Sequence, residues 1–350
     1  MKAEAHNPVL DGWRGLAILC VLVSHTLRWQ YGLGEGFWGN LGTVGVELFF
    51  VLSGFLITRN LLEISSADSL RPALGAFYIR RVFRILPALL AFLAAAALAL
   101  RVGISHSEKP VPAAEWLSCV LLWRNYLPEG HGLTDHIWSL SVEEHTYLVL
   151  GLLLTLAPRK LPSLLGLLGL TAAIAIASFW HLGSLPLHLA WQSQVRMFSP
   201  LCGAILALSI DRDGVRAALA RLEPASLIAA GALAWCALEA PFGMLAGTPL
   251  FALALGAIQH RRKNFLASVL ATRAFVGIGL LSYSLYLWQQ PVLLHVHVKA
   301  AAHASWLARI AVSIMGLAVV GGVAALSYAL VEKPARRFGR KVAAKVGSRA

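Results

Sequence analysis

The sequence predicts an all-α integral membrane protein of about ten transmembrane helices, with both termini in the cytoplasm. Three observations carry that expectation. Hydrophobic residues make up 58% of the 350 positions and charged residues only 13%, whereas a soluble domain carries about 25% charged residues. The mean hydropathy is +0.68. The apolar residues come in continuous runs rather than in short alternating segments, which points to helices and away from barrel strands. The basic residues, finally, are distributed unevenly between the two sides those runs define.

The runs fall at about 12–30, 41–59, 85–103, 138–157, 162–181, 196–210, 225–240, 247–259, 275–295 and 308–331. At about 1.5 Å per residue most reach across a hydrocarbon core of about 30 Å. The sixth to eighth are short. Trp116–Trp123 is apolar but too short to cross, and reads as a re-entrant or interfacial piece.

With the N-terminus inside, 23 Lys and Arg fall on inner segments and 7 on outer ones. Every inner segment is basic, as positive-inside topology requires. The net charge of +13 is thereby explained by inner loops, and no nucleic-acid partner is expected. Cys20, Cys119, Cys202 and Cys236 are isolated, without CxxC or Cys/His ligand spacing, so neither a metal site nor a disulfide framework is expected. Asp11 and Arg14 interrupt the N-terminal run, and Arg28-Trp29 follows it where a cleavage site would need small residues, so no separate signal peptide is expected. The chain reads as one membrane domain over 1–350 with no fused soluble module.

The first run, LDGWRGLAILCVLVSHT (Leu10–Thr26), holds two ionisable residues that an apolar helix should exclude. Arg14 and His25 are eleven residues apart, about three turns, so they share one helix face some 16 Å apart. An ionisable residue inside a membrane helix is a functional-site candidate, although an arginine there can also snorkel to the headgroups.

FYIRRVFRILP places Arg80, Arg81 and Arg84 on one helical patch before the third run. Guanidinium forks suit phosphate oxygens, so the patch could hold the nucleotide end of coenzyme A or act as a simple positive-inside anchor. In GVELFFVLSGFLIT, Glu47 lies within about 10 Å of the outer surface, while Gly45, Ser53 and Gly54 permit close helix approach. HIWSLSVEEHTYL opens the fourth run with His136 and sinks Glu143 by about 8 Å.

His25, Glu47 and Glu143 thus fall in one outer layer. His25 is the natural general base of the three, because its pKa starts near neutrality and a carboxylate can tune it. Spacing does not choose between Glu143 and Glu47 as that carboxylate. YSLYLWQQP puts Tyr286 and Trp288 near an outer boundary, as an aromatic belt or as a platform for a sugar ring. VEKPARR sets Glu332 before a basic tail and reads as a helix anchor.

Taken in order from LDGWRG to VEKP, these segments resemble the membrane-bound acyltransferase family 3, the integral-membrane carbohydrate O-acyltransferases. The resemblance implies about ten spans, acetyl-CoA as donor, and a saccharide or glycolipid acceptor acylated on the far side of a bacterial-type cytoplasmic membrane. It also implies functional roles for Arg14, His25, Arg81, Arg84 and Glu143, with Glu47 and Ser53-Gly54 inside a family motif. Two positions depart from the pattern: Gln289 follows YLW where the family often has His, and His145-Thr146-Tyr147 stands where Gln-Phe-Tyr is common. The competing reading is a transporter or flippase for a lipid-linked saccharide, which broken helices and a repeated half would favour. A structural scaffold would leave His25 and Glu143 without a purpose.

Overall fold

The computed structural model describes residues 7–34, 36–65, 70–102, 111–127, 130, 132–184, 187–238, 240–261, 264–300 and 305–347. Among these residues the chain is helical, with no strand. The long helices are α1 (Pro8–Tyr31), α2 (Gly36–Ser65), α3 (Leu70–Arg101), then after the short α4 (Ala113–Val120) α5 (Ile137–Leu156) and α6 (Lys160–Leu182). Short pieces follow: α7 (Leu187–Ala190), α8 (Ser193–Arg196), α9 (Phe198–Ser209), α10 (Asp213–Leu219) and α11 (Pro224–Ala237). The chain closes with α12 (Phe242–His260), α13 (Phe265–Leu270), α14 (Arg273–Ala300), α15 (Trp306–Ser327), a π-helical turn at Tyr328–Glu332 and α16 (Lys333–Gly347). Of the charges counted above, Lys2, Lys109, Arg262, Lys263 and Arg349 lie outside the described residues.

Each of the ten apolar runs is helical, because inside hydrocarbon a chain must satisfy its own backbone polar groups. The chain is a multi-pass membrane protein. By length and apolar composition six helices suffice to cross: α1, α2, α3, α6, α12 and the continuous Trp306–Gly347. A seventh is formed if Ser193–Ser209 and Asp213–Leu219, bent by 118°, count as one. The expected total of ten would need α5, α11 and α14 as well. Glu143, Glu144 and His145 dilute α5, and serines, glutamines and histidines dilute α14. The 14 residues of α11 reach only about 21 Å. The piece expected to be too short to cross, Trp116–Trp123, overlaps the eight-residue α4 at 116–120, and its last three residues lie beyond that helix.

Contacts divide the described chain into two compact units. One comprises 7–28, 33–59 and 142–282. Its apolar core is built on Trp13, Leu48, Phe55, Phe198, Phe251 and Leu255. Trp13 donates its indole N–H to the Leu48 carbonyl at 2.9 Å, which satisfies the one polar atom on a buried ring. Small residues let backbones touch. A Cβ on Gly54 of α2 would strike the Pro200 backbone of α9, and one on Gly203 of α9 would strike Val51 of α2. That is the close approach expected of GVELFFVLSGFLIT.

The other unit comprises 29–32, 60–141 and 283–347. Here α3 packs along α16: Phe83 and Phe338 meet edge to face at 5.3 Å, and Gly339 sits where a side chain would collide with Phe83. Tyr283 donates to the Ile85 carbonyl at 2.8 Å and Arg309 to the Gln30 carbonyl at 3.3 Å. The 42-residue stretch Trp306–Gly347 would be about 63 Å long, twice the hydrocarbon core. Its apolar half is α15. Its basic half, α16, therefore belongs to a polar medium.

Candidate functional site

The basic patch of the sequence becomes a cavity. In the second unit Arg80, Arg81 and Arg84 of α3 line a space of about 180 Å3 together with Asn60, Phe77, Arg336 and Arg340. Their spacing on α3 puts them on one flank, as expected. The Arg81 guanidinium lies 5.7 Å over the Phe77 ring, a cation–π contact that fixes its direction. Arg336 and Arg340 come from α16, one turn apart. Arg336 pairs with Glu332 at 3.2 Å, and Glu332, 2% exposed, also accepts from Ser284 at 3.0 Å. Five guanidiniums thus face one space, with one carboxylate held among them. Such a site offers many planar donors to an anion with several oxygens. The tail read from the sequence as a helix anchor supplies two of the five.

In the first unit, Arg14 and His25 lie on α1 with no break between them. Arg14 is partly exposed and pairs with Asp11 at 2.7 Å, one turn earlier in the same helix. His25 is half-buried, and its ring edge looks towards Gly42 of α2, where even a methyl group would come within 3.9 Å of Cδ2. A Cβ on Gly42 would also come within 3.0 Å of the Ser24 hydroxyl, so the glycine lets α1 and α2 approach closely beside His25.

Glu47 is fully buried, and both its oxygens are engaged. Arg196 donates to Oε1 at 2.7 Å and Thr248 to Oε2 at 3.2 Å. The Arg196 guanidinium lies 5.3 Å over the Trp235 ring. This is a closed structural pair joining α2, α8 and α12. Arg196, one of the seven basic residues counted on the outer side, is buried opposite Glu47. The available signal was an arginine at the lip of one apolar run, 196–210, and a lone carboxylate inside another, 41–59. Ser53 spends its hydroxyl on the Phe50 carbonyl of its own helix at 3.1 Å. Glu143 lies on α5, half-buried. Two residues further on, the His145 Nδ1 meets the Ser193 hydroxyl at 2.7 Å, a bond that ties α5 to α8.

His136, Tyr286 and Trp288 meet in the second unit. His136 is buried, with Nε2 3.1 Å from the Leu287 carbonyl. A carbonyl only accepts, so Nε2 carries the proton. Tyr286 donates to the His136 carbonyl at 2.9 Å and lies 2.6 Å from the Ser139 hydroxyl. Phe92 packs edge-on against both His136 and Trp288. The aromatic stripe of α14 is therefore packed into the protein, and the Tyr286 hydroxyl is already committed.

Sequence reasoning missed a cluster in the segment between α3 and α5. Arg124, fully buried, lies 2.6 Å from Asp135 and 3.7 Å from Glu115, while Thr134 donates to Glu115. Burial pushes the Asp135 carboxyl up from its ordinary pKa and Arg124 pulls it back down. A Cβ on Gly130 would overlap Arg124 and Asp135, so the pair needs a glycine there. Gln290 holds the Gly132 carbonyl at 2.8 Å. Residues 115–135 are thus tied down near both ends, with residues 128, 129 and 131 outside the described ones. Among the described residues no group of three His, Cys, Asp or Glu is arranged to hold a metal.

A family model described as an acyltransferase domain matches residues 7–330. YrhL of Bacillus subtilis, whose name provisionally assigns it peptidoglycan O-acetylation, is 28% identical over 97% of this chain and 56% of its own length. The peptidoglycan O-acetyltransferase OatA of Listeria monocytogenes is 27% identical over 96% of this chain and 57% of its own. The O-acetyltransferase OatA of Staphylococcus aureus is 24% identical over 97% and 59%. The chain spans little more than half the length of these relatives. No solved structure matches the chain. The match over 7–330, with the segments from LDGWRG to VEKP in order, makes the chain a member of the acyltransferase family 3.

Proposed function

We propose that the chain, as one domain over 1–350, is a cytoplasmic-membrane O-acetyltransferase. It moves an acetyl group from cytoplasmic acetyl-CoA to a hydroxyl of a cell-wall-type saccharide on the outer side. Ten spans with both termini inside give the matching topology. The observation that carries the reading is the arginine-lined cavity on α3: Arg80, Arg81 and Arg84 converge on a space whose charge suits the phosphates of a nucleotide. Relatives named for peptidoglycan O-acetylation support the acceptor class.

In this reading Arg14 guides the donor and His25 does the chemistry. His25 takes the proton of the acceptor hydroxyl, the oxygen attacks the thioester carbonyl, the new C–O bond forms and the C–S bond breaks. CoA leaves as a thiolate and picks up a proton. Glu143, rather than Glu47, is the carboxylate that tunes His25, because Arg196 and Thr248 occupy both oxygens of Glu47. Glu47 and Ser53 support the helices, and His136, Tyr286 and Trp288 serve as substrate or support residues.

Purified protein mixed with labelled acetyl-CoA and a muropeptide acceptor should release free CoA and yield acetylated glycan. Labelled donor left intact would overturn the reading. An alkaline phosphatase fusion at the C-terminus should be inactive, and activity there would reverse the topology. The bend after Ser209 does not favour the transporter reading. It falls at Asp211 and Arg212, where Asp211 is 72% exposed and paired with Arg59, a polar turn rather than a helix broken inside the bilayer.

A further inference from the structure

Arg336 and Arg340 lie beyond residue 330, where the match to the family model ends. Yet they form one wall of the cavity whose other wall is Arg80, Arg81 and Arg84. We infer that the C-terminal helix α16 is part of the donor site, with Arg336 and Arg340 as ligands for the donor's phosphates and Glu332 as the residue that positions Arg336. The inference rests on the donor reading above.

Three features support it. First, the register of α16 is set rather than incidental. The π-helical turn at Tyr328–Glu332 inserts an extra residue's rotation just before α16, and such turns recur at functional sites. Past that turn, Gly339 and Ala343 are buried on the α3 side and the Phe83–Phe338 contact fixes the slide. Arg336 and Arg340, four apart, then project into the cavity together.

Second, the charges do not make sense as structure alone. Five arginines around one space repel one another, and Glu332 offsets Arg336 among them. Arg84 acts on Glu332 and on Arg336 as well, so the α3 and α16 walls share one electrostatic field. A fold seeking only stability would not gather these groups; an anion carrying several charges would turn the repulsion into attraction.

Third, Glu332 is placed as a strut. Buried and held by Ser284, it fixes one edge of the Arg336 guanidinium at 3.2 Å and leaves the remaining N–H groups to the cavity. Two walls of guanidinium suit a ligand whose phosphates stand at separate points, as the diphosphate and ribose phosphate of coenzyme A do.

The test uses the full chain in nanodiscs, with labelled acetyl-CoA binding at equilibrium and inorganic pyrophosphate as competitor. Arg340→Gln removes an exposed guanidinium that bears on no buried partner, and Arg336→Gln is paired with Glu332→Gln so that no carboxylate is left buried alone. Melting temperature checks that each variant folds. Each substitution should weaken binding about tenfold, the loss of one charge-assisted contact of about 1.4 kcal/mol. Glu332→Gln alone should raise KM for acetyl-CoA with kcat little changed. Pyrophosphate should raise the melting temperature of the wild type and lose that effect in Arg336→Gln/Arg340→Gln/Glu332→Gln. If Arg81→Gln and Arg84→Gln abolish binding while the α16 variants bind as the wild type does, the inference falls and the donor reading stands. If the wild type itself does not bind acetyl-CoA, the donor reading falls and takes the inference with it.

Discussion

Two groups of buried or half-buried charge sit in the two units, and they are built on opposite plans. Around Glu47 every charge has its complement: Arg196 and Thr248 take the two carboxylate oxygens and Trp235 lies against the guanidinium. Around the α3–α16 cavity five guanidiniums converge on one space, with Glu332 paired to Arg336. Inside a membrane the first plan is the means of burying charge at all, since an unpaired ion in hydrocarbon costs several kcal/mol. The second plan is tolerable only where solvent reaches, and it makes sense when something anionic arrives. On the reading proposed above, the completed Glu47–Arg196 pair serves structure and the convergent arginines of the cavity serve binding.

The largest effect expected from breaking this comparison lies outside both groups. His25→Ala should lower acetyl transfer by about 10²–10⁴-fold, the usual worth of a general base, with protein still present in the membrane. Retained activity in a transfer assay would remove His25 from the chemistry. Next comes Arg196→Met, which strands Glu47 in the interior. It should destabilise the fold by about 3–5 kcal/mol, and Glu47→Gln in the same chain should restore most of that loss. Unfolding in mixed detergent reads both; equal stability of single and double variants would show the pair is not coupled.

The arginine cavity should respond the other way. Arg81→Gln with Arg84→Gln should cut acetyl-CoA affinity at least about tenfold while leaving the melting temperature unchanged or raised, because like-charge repulsion is relieved. A lowered melting temperature with unchanged affinity would make these residues structural. The smallest effect is expected at Arg59–Asp211, an ion pair 2.5 Å long but 36% and 72% exposed. Arg59→Gln should cost less than about 1 kcal/mol by the same detergent measure. Distance alone does not rank these pairs; burial does.

Much of the fold was legible because membrane helices announce themselves locally. The described parts of the apolar runs are mainly helical, and the stretch Trp116–Trp123, judged too short to cross, falls partly in the short helix α4 and runs past its end. Partner choice was not legible. Glu47 and Arg196 are 149 positions apart, and no periodicity along a chain encodes which distant ion will meet which. Arg80, Arg81 and Arg84 were found because helical spacing is a local rule. Arg336 and Arg340 were passed over because a basic tail after a last span has an ordinary explanation in membrane topology. The cluster of Arg124, Glu115 and Asp135 was missed for a further reason: it lies in an irregular segment, where no repeat tells which side chains turn inward.

The crossing of α2 and α9 carries a consequence for heredity. At Gly54 and Gly203 an added carbon would meet main-chain atoms, the Pro200 carbonyl in one case and the Val51 carbonyl in the other. Where a side chain is in the way, a second mutation can shrink it and rescue the first. A peptide carbonyl has no smaller allele. A screen for suppressors of Gly54→Val or Gly203→Val should therefore return true revertants and no second-site change in the facing helix.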